Sequence, residues 1–68
     1  MTTEHMIHMA NQIAQFFAAY PHMDAVAGVA DHLAKFWEPR MRTQLAAFVA
    51  KGGAGLHPLV LEAVKSQN

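Results

Sequence analysis

Cysteine is absent from all 68 residues. That excludes disulfides, thiolate metal sites and cysteine-held clusters, and with them the commonest staples of a very small fold. Serine is almost absent too. Ser66 stands alone in the terminal tail, so no nucleophile–base–orienter set can be assembled. Charge is sparse and balanced, five Lys or Arg against five Asp or Glu, where a general nucleic-acid binder would show a basic face. No apolar run approaches the ~18 residues of a membrane span. The start lacks the charged opening and apolar stretch of a secretion signal, so a cytoplasmic chain is expected. Gly52-Gly53-Ala54-Gly55 lacks the Lys-Ser/Thr that completes a phosphate-binding loop.

What is present is apolar and periodic. Hydrophobic residues make up 53 % of the chain, too many for a disordered segment. The length allows one domain, residues 1–68. A domain this small buries only ~60 % of its unfolded surface. With no disulfide to help, a protein partner is the expected source of further stability.

A twelve-residue pattern occurs twice, twenty residues apart. Met6, Met9, Ala10, Ile13, Phe16 and Phe17 fall at the same places as Val26, Val29, Ala30, Leu33, Phe36 and Trp37. At about 100° per residue each set forms one stripe, the mark of an amphipathic helix. Duplication would explain the likeness; convergence on a shared helical period explains it more simply. Either way the chain opens with two antiparallel helices.

The element pattern is all-α: a compact bundle of three helices plus a short C-terminal fourth. Thr2 or Thr3 caps a first helix to about Ala19, with Glu4 suiting the dipole of its first turn. Pro21 ends it, and a second helix runs from about Met23 to Trp37. Gly28 sits inside that helix on its outer side, where it is tolerated or lets another backbone approach. Pro39 suits the first position of a third helix, which stops at Gly52-Gly53. His57-Pro58 opens the fourth, with Leu59, Val60, Ala63 and Val64 inward and Leu61 exposed; residues 66–68 are expected to fray. The expected core is Met9, Ile13, Phe17, Val29, Leu33, Phe36, Met41, Leu45 and Phe48.

Five histidines raise the question of a metal. His5 and His8 can share a helix face, but zinc sites need three or four ligands at matched spacing. No metal, catalytic or cofactor-binding residue is therefore assigned, and solvated histidines are the expectation. The third helix is more telling. Met41, Leu45, Phe48 and Val49 share one face, while Ala46, Ala47 and Ala50 leave the reverse smooth. Arg40 and Arg42 stand at its start, where local electrostatics do not favour cations. Glu38 and Asp31 nearby would account for them; so would an acidic patch or a phosphate on a partner, which the arginine fork suits.

These stretches also carry a resemblance. They are Met9-Ala10-Asn11-Gln12-Ile13 with Phe16-Phe17, Ala30-Asp31-His32 with Lys35-Phe36-Trp37-Glu38-Pro39-Arg40-Met41-Arg42, and Gly52-Gly53 with Gly55-Leu56 and Pro58-Leu59-Val60. In order and spacing the chain resembles the delta subunit of the soluble NAD-dependent formate dehydrogenases that contain molybdenum or tungsten. Two positions depart from the pattern: His8, where a basic residue is expected, and His57, where an aspartate is expected before the proline. The second bears on capping, since Asp caps a helix better than His.

The resemblance implies a non-catalytic small subunit in a complex that interconverts formate and carbon dioxide. It implies a large subunit with a molybdenum or tungsten bis-pterin centre and iron–sulfur clusters, and further subunits with FMN, more clusters and the NAD site. The delta chain would hold none of these and would support assembly, stability or cofactor loading of the large subunit. Trp37, Pro39, Arg40 and Arg42 are the expected docking residues, with Asn11, Gln12 and Gln15 as the second place to look. The competing class is a stand-alone helix-turn-helix regulator presenting Arg40, Arg42, Thr43, Gln44 and Lys51 to DNA; the zero net charge and the alanine face weigh against it.

Overall fold

Thr2 starts the first helix: its hydroxyl accepts from the His5 backbone N–H at 3.1 Å. The computed structural model describes residues 2–66 and arranges them as α1 (Thr3–Phe17), α2 (His22–Phe36), α3 (Pro39–Ala50) and α4 (Pro58–Ser66). Among the described residues there is no strand. The all-α bundle expected from the sequence is the fold. Ser66, expected to fray, closes α4 with its hydroxyl donating to the Ala63 carbonyl at 2.9 Å; residues 67–68 lie outside the described part.

Each break has a local cause. Pro21 stands just before α2 with an extended backbone, and its carbonyl accepts from Ala25 N–H at 2.8 Å. Pro39 occupies the first turn of α3, where a missing N–H costs nothing. α3 ends in a Schellman motif: Gly52 N–H donates to Val49 and Gly53 N–H to Phe48, at 2.9 and 3.0 Å. Gly53 has φ +63°, and a Cβ there would collide with the Leu61 side chain. Leu61 is thus half-buried against Gly53 rather than exposed as expected.

α2 is the central element and packs chiefly on α4, then on α1. The short fourth helix is therefore part of the core. Leu59, Val60, Ala63 and Val64 are all buried on its inward side. Phe17 lies over Gly28 and Ile13 beside His32, the register of two antiparallel helices.

The buried set differs from the expected one. Val29, Leu33 and Leu45 are buried as expected, whereas Met9, Ile13, Phe17, Met41 and Phe48 are only partly buried against the core. Phe36 points out, 72 % exposed. The interior of α1 is centred on Met6, Ala10 and Ala14, and that of α2 on Ala25, Val29 and Leu33. Alanines at these contacts let the helix axes approach closely, so the large side chains flank the contact instead of filling it. The two copies of the twelve-residue pattern also bury different faces. Ala25, Val29 and Leu33 correspond to His5, Met9 and Ile13, one residue off the axis of α1. A shared period therefore does not mean a shared role. No polar or charged residue is buried among those described.

Candidate docking surface

The turn between α2 and α3 is built by Trp37, Glu38 and Pro39. α2 ends at Phe36, and Trp37 leaves the helical phase with φ −91° and ψ 135° while its N–H still reaches the Leu33 carbonyl at 3.2 Å. That swing carries the indole into the core, where only 5 % of the residue is exposed. Trp37 was expected on the docking surface; it pins the turn from inside and offers a partner almost no area. Glu38 is extended, and its carbonyl accepts from Arg42 N–H at 3.0 Å, starting α3.

Pro39 and Arg40 are exposed and Arg42 is half-buried. Neither arginine pairs with a carboxylate among the described residues. Asp31 is held by Lys35 at 3.1 Å, one turn along α2. Glu62 lies 2.6 Å from the ring of His22. Glu38 makes no ion pair either, so among the described residues neither Glu38 nor Asp31 accounts for the two arginines. Beside Arg42 lies a cavity of about 340 Å³, lined also by Leu33, Pro39, Thr43, Leu45 and Val64. The Arg42 Nε is sealed from solvent and meets no acceptor among the described residues.

Asn11 and Gln12, also expected at the surface, diverge. The Asn11 amide donates to the Gly55 carbonyl at 2.9 Å, and its oxygen accepts from His57 N–H at 2.8 Å. Both ends of the side chain are spent holding the α3–α4 link on α1, so Asn11 has an internal role. Gln12 is exposed and rims an apolar groove of about 360 Å³ with Ile13, Phe16, Phe17 and His32. Gln15 is exposed. Phe16 and Phe17 meet edge to face at 5.0 Å, and His32 stacks on Phe36 at 4.8 Å.

His57 corrects the doubt about the fourth helix. Its Nδ1 accepts from Leu59 N–H at 3.1 Å, doing what Asp would do at that position. The bond requires Nδ1 to be unprotonated. His5 and His8 are both exposed. Among the described residues no three His, Cys, Asp or Glu side chains gather as metal ligands, and no helix is long and apolar enough to cross a membrane. Sequence reasoning missed the His22–Glu62 contact, which ties the start of α2 to α4. No spacing rule links residues so far apart.

Comparison with known proteins returns one family whose model matches residues 5–64, described as NADH-dependent formate dehydrogenase delta subunit FdsD. No curated protein and no solved structure matches the chain.

Proposed function

Because the chain belongs to the NADH-dependent formate dehydrogenase delta subunit family, we propose that it is a non-catalytic small subunit that docks on the large molybdenum or tungsten subunit and supports its assembly, stability or cofactor loading. The single observation that carries the reading is the extent of the family match, residues 5–64 of 68. The residues agree with it. A chain without cysteine cannot hold iron–sulfur clusters, and its histidines and carboxylates do not gather as a ligand set among the described residues. On this reading the groups that carry the chemistry, bis-pterin metal, clusters, FMN and NAD, belong to other subunits of the complex. The site of action is cytoplasmic on this reading.

The docking surface is the outer side of the α2–α3 turn, with Pro39 setting the angle and Arg40 and Arg42 supplying unpaired positive charge. A charged contact desolvated at such an interface typically costs ~2–5 kcal/mol when one side is cut away. Gln12 marks a second, apolar approach along the groove between α1 and α2. The helix-turn-helix alternative would need Arg42 and Gln44 free to face DNA, yet both are half-buried.

The test is co-expression of the complex with and without this chain, followed by metal and pterin analysis of the large subunit. The reading expects a lower yield or lower metal and pterin content when the chain is omitted. Equal yield and equal content would remove the function, and a salt-sensitive band shift of the isolated chain on duplex DNA would favour the regulator instead.

A further inference from the structure

We propose that the cavity beside Arg42 is a socket for one carboxylate side chain, an Asp or Glu of the large subunit. The inference rests on the accessory-subunit reading and names the partner chemistry at its docking surface. The two arginines are not equivalent. Arg40 is exposed and Arg42 half-buried, with its Nε sealed from water and without an acceptor among the described residues. A sealed atom is out of reach of an arriving group, so what the cavity offers a ligand is the uncompensated positive charge of the guanidinium on its wall. No carboxylate among the described residues pairs with it: Asp31 is held by Lys35, Glu62 by His22, and Glu38 makes no ion pair.

The ligand class follows from charge and shape. An arginine on the cavity wall attracts a carboxylate, and with Nε sealed the terminal N–H groups of the guanidinium are the donors left for its two oxygens. The walls, Leu33, Pro39, Leu45 and Val64, are apolar and suit the methylenes of an acidic side chain, with Thr43 at hand as a hydroxyl. Arg40, exposed two residues before Arg42, steers the approach and contributes little once contact is made.

The experiment titrates the purified full chain into the large subunit, using wild type, R42A, R42K and R40A, each matched by circular dichroism and melting temperature. R42A should weaken binding by about tenfold or more, and R42K by less, because lysine keeps the charge but loses the fork. R40A should stay within about threefold and act mainly on the association rate. Wild-type affinity in R42A, or a larger loss in R40A, overturns the socket and leaves the accessory reading standing. No binding by the wild-type chain overturns both. If R42A does not fold, R42K decides: a zero-length carbodiimide should couple its new amine to an Asp or Glu of the large subunit, and no such amide in the mapped peptides overturns the socket. Millimolar acetate or formate that raises the melting temperature of the isolated wild type but not of R42K would assign the cavity to a free anion and overturn the protein ligand.

Discussion

At the residue scale, Gly28 and Phe36 show how neighbours rather than residue type decide a position's cost. A Cβ built on Gly28 would sit 2.5 Å from the Phe17 ring, so this glycine exists to receive that ring. Gly28→Ala gains about 1 kcal/mol in helix propensity and pays about 1–3 kcal/mol in overpacking, for a net loss of up to about 2 kcal/mol. In a Phe17→Ala background the clash is gone, and the same substitution should stabilise by about 1 kcal/mol. Urea melts of the four chains measure the cycle; a gain in the wild-type background would show that the ring swings aside freely. Phe36→Ala should cost well under 1 kcal/mol in such melts, since the ring is 72 % exposed, whereas Leu33→Ala should cost about 2–5 kcal/mol. Equal costs at both positions would mean that Phe36 packs inward in solution. Asn11→Ala strands His57 N–H and the Gly55 carbonyl, and a loss of about 1–3 kcal/mol is expected. Asn11→Asp keeps the acceptor for His57 but loses the donor to Gly55, so it should not fully restore stability.

At the scale of elements, α4 depends on its cap. His57 offers Nδ1 to Leu59 N–H, and no other side chain caps that helix among the described hydrogen bonds. His57→Ala should therefore cost about 1 kcal/mol, while His57→Asp should match or exceed wild type, because Asp both caps and suits the helix dipole. Melting curves near neutral pH decide it, and an Asp variant less stable than the Ala variant would mean the imidazole holds more than the cap. The four helices, the three prolines at the starts of α2, α3 and α4 and the Gly52-Gly53 stop were legible in the sequence because capping, proline and glycine act locally. The centre of the inward side of α1 was only partly legible. The sequence-drawn stripe holds Met6 and Ala10, which are buried, but the weight of Met9, Ile13 and Phe16 pulls its centre away from Ala14, which is buried too. The Phe36–Trp37 pair misled for another reason: the helix stops between them, and a helical wheel does not apply to a residue with ψ 135°. The residues proposed for docking were suggested only in part by the sequence. Unpaired arginines at a helix start could be suspected from charge placement, but the cavity beside Arg42 needs α4 and α2 in place, contacts that no sequence spacing announces.

At the scale of the whole molecule, size makes stability and partnership one question. A chain of 68 residues has a stability of about 3–10 kcal/mol on the usual per-residue scale. A partner present at a thousand times its Kd adds about 4 kcal/mol, which is comparable with the whole. Its interior, centred on α2 and α4, is apolar throughout the described residues, while Phe16, Tyr20, Met23 and Phe36 stay in solvent. An accessory subunit of this build should fold alone with modest stability and be stabilised by its complex. Expressed without the large subunit, it should melt at a lower temperature and turn over faster in a pulse-chase than when the two are expressed together. The Arg40→Ala, Arg42→Ala double variant should keep its helical circular dichroism yet turn over at the rate of the orphan chain even with the large subunit present. Formate oxidation should fall in that strain through lower metal and pterin content, with KM for formate unchanged. The ordering of these effects matters, because a loss of docking must precede a loss of activity. A double variant that keeps its wild-type lifetime beside the large subunit but raises KM for formate would place this chain near the substrate instead, and the docking role assigned to the two arginines would fall.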